Sequence, residues 1–158
     1  MKLRIPQLPT PLWWLVGASL ALWGQEFLGG FDLLSAMVLP WLARSRRAPA
    51  LAASLVVVVV QEGLSSFSLG ATLAMAGLWG SFLLAARHLD PHNILFMAGY
   101  AAFLAVWTPG AYAMVAALHD MQLPFPSWPH IALQWGVFFL IWWALDVLLR
   151  RRERHGAV

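Results

Sequence analysis

The 158-residue chain has no cysteine, and Asp, Glu, Lys and Arg together make up only 11% of it. Without cysteine there is no disulfide framework and no thiolate metal site. So little charge against 61% hydrophobic residues and a mean hydropathy of +0.70 leaves too little polar surface to coat a soluble globule. Also missing are an HExxH helix, a phosphate-cradling loop and any nucleophile–base pairing. No repeat of the kind that marks transporter halves is present. The expectation is a protein with no catalytic residues, no metal and no cofactor.

What is present is charge sorted by position. The ten Lys and Arg fall in four clusters: Lys2 and Arg4; Arg44, Arg46 and Arg47; Arg87; and Arg150, Arg151, Arg152 and Arg154. The apolar stretches between clusters must cross a bilayer an even number of times to return the chain to the same side. Cytoplasmic loops are enriched in Lys and Arg, so the pattern predicts both ends inside. The net charge of +3 is therefore read as a topology signal that also favours anionic headgroups, not as a nucleic-acid surface.

Six spans of roughly 20 residues would use about three quarters of the chain. They are expected near Leu12–Phe27, Asp32–Ala43, Pro49–Leu64, Leu69–Arg87, Ile94–Leu118 and Ile131–Leu149, in one polytopic domain over residues 1–158. The basic start and first apolar run resemble a signal peptide, but without a small-x-small cleavage site before a polar region they read as a retained span. The second span is short and contains Pro40. In the third, five consecutive valines suit a buried strand in water, yet in lipid only a helix satisfies its own backbone. The fourth carries Gly70, Ala74, Gly77 and Ser81 on one face, a stripe read as an intramolecular packing surface. Thr108-Pro109-Gly110 is expected to kink the fifth. The outer loop, His119 to His130, holds three prolines and two aromatics, and reads as a stiff segment at the interface. Tryptophans such as Trp41, Trp128, Trp142 and Trp143 are placed in the interfacial belt.

The candidate polar site follows from the cost of an ionised group in hydrocarbon. Glu26, Asp32 and Glu62 all fall near the outer end of their spans and are expected to approach one another there, with Gln61 and Ser65 beside them. Asp32 also suits a helix N-cap, and Asp146 stands four residues before Arg150, an ion-pair spacing. Glu62 admits both a structural and a functional reading. The histidines form no ligand set: Pro91 interrupts His88 and His92, and His119 and His130 flank a loop.

The stretch Phe31 to Gly70 resembles the bacterial rod shape-determining protein MreD. The family begins its second span with a Pro-Asp-Leu-Leu-like motif, where this chain has Phe31-Asp32-Leu33-Leu34. Its best-marked segment, near G-L-L-L-D, two apolar residues and S-G-S-P-L-G, aligns with Val58 to Gly70 and puts Glu62 on the acidic position and Ser65 on the first serine. The resemblance implies a non-enzymatic, multi-pass scaffold of the bacterial cytoplasmic (inner) membrane. It would bind MreC and link cytoskeletal filaments to peptidoglycan synthesis in the elongasome that sets cell shape. It further implies an all-α bundle of about six helices, similar in fold to the substrate-binding subunits of energy-coupling-factor vitamin transporters. Membership among those subunits is the alternative function. Phe125 and Trp128 in the outer loop, with Pro109 and Gly110 at the kink, are the expected contacts to partner membrane proteins.

Overall fold

The computed structural model describes residues 17, 19–25, 32–44, 48–64 and 69–155. Among them are six helices and no strand: α1 (19–25), α2 (Leu33–Leu42), α3 (Ala48–Leu64), α4 (Gly70–Ala85), α5 (Ile94–Leu118) and α6 (Trp128–His155). The run of valines is helical. Local propensity, which favours strand for β-branched residues, yields to the surroundings.

The helix starts are built from nearby polar groups. Asp32 caps α2, its Oδ1 accepting from the Ser35 amide at 3.0 Å. Asn93 caps α5 by accepting from the Leu95 amide at 2.9 Å. α4 begins at Leu69, a left-handed residue with φ 75° and no capping side chain of its own, a strained conformation for a non-glycine. Its first turn is served by Glu62 instead, as described below. α6 begins at Trp128, earlier than expected, so Trp128 and Pro129 belong to its first turn. Proline fits there because the first-turn amides have no intrahelical acceptor in any case.

Neighbouring helices in the chain pack side by side, and α6 returns to α2, closing α2 to α6 into a ring. α1 leans on α2, where Gly17 faces Met37 and Gly24 faces Leu33. Tightest of all is the α4–α5 seam. A Cβ on Gly77 would lie 2.1 Å from the Trp107 ring, and one on Gly70 would lie 2.7 Å from Tyr112. Trp107 Nε1 donates to the Ala74 carbonyl at 3.0 Å, and Ser81 Oγ lies 2.9 Å from the Tyr100 hydroxyl. The small-residue stripe of α4 thus seats the aromatics of α5.

Towards the end of the ring that carries the described arginines, Phe82, Phe96, Tyr100 and Trp142 meet with ring centroids 5.4 to 6.2 Å apart. Trp142 has no exposed surface, which corrects its placement in an interfacial belt. It is enclosed because α4 and α5 present three other rings at its depth. Trp128 and Trp143 are exposed as a belt requires.

Among the described residues, two helices are long and apolar enough to cross a membrane, Ile94–Leu118 and Trp128–Arg150. Leu33–Leu42, Ala50–Gly63 and Gly70–Ala85 are apolar but shorter. With 10 residues, α2 rises about 15 Å against a hydrocarbon thickness of about 30 Å. By length alone, the described residues thus hold two helices able to span unaided, and the stretch expected as the first span lies partly outside them. α5 continues through Pro109 as one helix, although that residue has no amide to give to the Ala105 carbonyl.

Candidate functional site

The antiparallel order brings the N-terminus of α2, the C-terminus of α3, the N-terminus of α4 and the C-terminus of α5 to one end of the ring. Polar side chains gather there. Asp32 Oδ1, already bonded to Ser35, also accepts from Gln61 Nε2 at 2.7 Å. The second carboxylate oxygen, Oδ2, has no hydrogen-bond partner among the described residues, though only 6% of the residue is exposed. Leaving a buried acceptor unpaired costs about 1–3 kcal/mol, and more if it is charged.

Glu62 turns elsewhere. Its Oε1 accepts from the Thr72 hydroxyl at 2.5 Å and from the Thr72 amide at 3.2 Å. It thereby covers an amide in the first turn of α4, where Leu69 supplies nothing, and its charge meets the positive end of that helix. Of the expected polar group, Asp32 and Gln61 are brought together, while Glu62 ties α3 to α4. Glu26 and Ser65 lie outside the described residues.

Asp32 and Gln61 form part of the wall of a cavity of about 490 Å³. Thr108, Pro109 and Tyr112 of α5 continue it, His130 and Gln134 of α6 close one side, and Leu22 and Gln25 come from α1. Leu123, Pro124 and Pro126 cover it from the connection between α5 and α6. Pro109 is thus a cavity residue, and Gly110 is half-buried beside it. Phe125 and Trp128 point away from the core and are well exposed.

Sequence reading missed Thr108, Tyr112, His130 and Gln134 as members of this wall. A signal was available for Gln134, the only amide side chain in the apolar run from Ile131 to Leu145. A polar residue inside such a run faces protein or a cavity.

The opposite end carries a second buried carboxylate, Asp146, 3% exposed. Arg150 reaches its Oδ2 at 2.7 Å, and His92 Nδ1 lies 3.3 Å from its Oδ1. The second contact has ion-pair distance without hydrogen-bond geometry, since Oδ1 has no hydrogen-bond partner among the described residues. Asp146 thus locks the α4–α5 connection onto α6. No group of three or more His, Asp or Glu among the described residues is placed to hold a metal ion.

No family model matches the chain, and no curated protein or solved structure matches it either.

Proposed function

We propose that this protein is a multi-pass membrane scaffold of the MreD type, acting in the bacterial inner membrane by binding MreC-like partners and having no catalytic activity of its own. The observation that carries this reading is the meeting of the two MreD-like motifs. Asp32 belongs to the first and Gln61 to the second, 29 residues apart, and they are joined at 2.7 Å. Glu62, on the acidic position of the second motif, fastens the next helix. The residues that carry the resemblance thus act as one structural joint, which suits a protein whose product is a shape. Membrane residence is supported by the surface. Only 39% and 28% of the two apolar windows are buried within the protein, so most of each faces outward. Leu20, Val59, Leu95 and Leu118 are among the exposed large apolar side chains, a surface that water does not tolerate over such an extent. In this reading all six helices lie in the bilayer with both termini inside, the short α2 being shielded by its neighbours and by local thinning.

The partner surface is assigned to the α5–α6 connection, where Phe125 and Trp128 are exposed anchors and the prolines limit the entropy lost on docking. Replacing Phe125 and Trp128 together by Ala should reduce recovery of partner proteins from native membranes several-fold while leaving monomer abundance unchanged. Equal recovery of the double variant and the wild type would remove the surface assignment. A chain recovered alone from native membranes would remove the scaffold.

The cavity beside Asp32 favours a second reading, a substrate-binding subunit of an energy-coupling-factor vitamin transporter. A vitamin retained through purification would establish it over the first.

A further inference from the structure

We propose that the cavity at the Asp32 end binds a small organic cation, a primary or secondary ammonium, whose N–H donates to Asp32. The proposal rests on the membrane orientation above only for the statement that this end faces outward; the chemistry stands on the site itself. Asp32 contributes a carboxylate with one oxygen engaged by two donors and the other without a hydrogen-bond partner among the described residues. The residue is 6% exposed, so bulk water is a poor substitute for a fixed donor. An anion would meet this carboxylate with no lysine or arginine among the described residues of the wall to offset it.

The rest of the wall suits an amine with a short body. Tyr112 brings an aromatic ring to the wall, a group that attracts ammonium ions. Thr108 and Gln134 bring a hydroxyl and an amide to the same space, able to accept the remaining N–H groups. Leu22 and Pro124 supply apolar surface. A volume of about 490 Å³ falls within the usual range of small-ligand sites, roughly 300–1,000 Å³. Charge sorting along the chain adds a long-range component. Arg44, Arg87 and Arg150 lie toward the opposite end of the ring, while Asp32 and Glu62 stand at this one, so the field at the mouth draws cations in.

The shared chemistry, a protonated amine with N–H donors, has two sources: a free solute amine or the ammonium of an ethanolamine headgroup. The test uses the full chain purified into nanodiscs of phosphatidylcholine, whose headgroup has no N–H. Unfolding midpoints are followed while putrescine, tyramine or acetate is added, and separately with phosphatidylethanolamine mixed into the disc. A ligand that binds only the folded form raises the midpoint in a concentration-dependent way. A rise with either free amine, and none with acetate, assigns a solute. A rise only with phosphatidylethanolamine assigns the lipid. In either case Asp32→Asn should lower apparent affinity at least tenfold, and Gln134→Leu and Thr108→Val should lower it several-fold. If Asp32→Asn fails to fold, the latter two variants decide. The proposal is overturned if no amine in either form raises the midpoint, if acetate raises it equally, or if the variants that fold keep the wild-type affinity. Because the readout involves no partner protein, this failure is separable from loss of the scaffold reading, which is scored on partner recovery.

Discussion

The two ends of the helix ring each bury one carboxylate and treat it differently. Asp146 is matched by a cation, with Arg150 at 2.7 Å and His92 at 3.3 Å, above a closed set of four aromatic rings. Among the described residues, Asp32 is met only by a backbone amide and a glutamine amide, and it borders a cavity. A buried charge held by an opposite charge is a fastening. Both carboxylates leave one oxygen without a hydrogen-bond partner among the described residues, but the one met by neutral donors beside a cavity is a place where something else can bind. The contrast predicts rigidity at the arginine-bearing end, and it is the cavity end that the proposed recognition needs.

The largest effect that would test the contrast is expected in the aromatic set. Trp142→Ala removes a side chain with no exposed surface, and truncating a buried aromatic residue costs about 3–5 kcal/mol. Unfolding by denaturing detergent should show that loss, whereas Trp143→Ala, on the exposed side of the same turn, should change stability by less than about 1 kcal/mol. Similar losses for both would mean that this end is not the sealed one.

A smaller loss is expected from the ion pair, and it should be asymmetric. Arg150→Ala strands Asp146 in the interior, which costs up to about 3 kcal/mol. Asp146→Ala leaves Arg150, 44% exposed, free to turn to water, so the expected loss is nearer 1 kcal/mol. If the order is reversed, Asp146 is not effectively desolvated and the fastening is weak.

Gly77→Ala, in the seam between the two ends, forces a methyl into the Trp107 ring, and overpacking of that kind costs about 1–3 kcal/mol. Gly80→Ala, on the same helix with nothing within 4 Å of the added carbon, serves as its control and should be neutral or slightly stabilising. Equal behaviour of the two glycines would deny that the stripe positions α5 and, with it, Tyr112 at the cavity.

The smallest effect is expected at Asp32. Asp32→Asn keeps an acceptor for Ser35 and removes a charge that has no cation beside it among the described residues, so stability should change by less than about 1 kcal/mol. A loss as large as that of Arg150→Ala would erase the difference between the ends and make Asp32 a structural residue like Asp146.

Much of this was legible in the sequence. The bounds of α5 and the existence of α2 to α4 followed from apolar runs punctuated by charge and glycine, because a segment rich in apolar residues has few ways to satisfy its backbone. Asp32 was readable as a cap because capping is local, acting over three residues. The Asp146–Arg150 pair was readable for the same reason, as an i, i+4 spacing. Glu62 was singled out as resisting a simple capping account, and its partner Thr72 was not foreseen, because that contact depends on how α3 packs against α4. Its function as a cap is explained by Leu69, which begins a helix without a side chain to serve it.

By itself the sequence determined helical class, the sorting of basic residues to alternate connections, and which polar residues lie within apolar surroundings. These are properties of composition, period and short-range bonding, and they do not depend on which helices are neighbours. Only the tertiary structure decided that α6 returns to α2 and that Gln61, not Glu62, reaches Asp32. It also decided that Thr108, Tyr112 and Gln134 share one cavity wall and that Trp142 is enclosed. Each of these depends on the rotation and pairing of whole helices. Those are set by the summed fit of many small contacts, such as a ring seated on Gly77, and no single stretch of chain contains both halves of that fit.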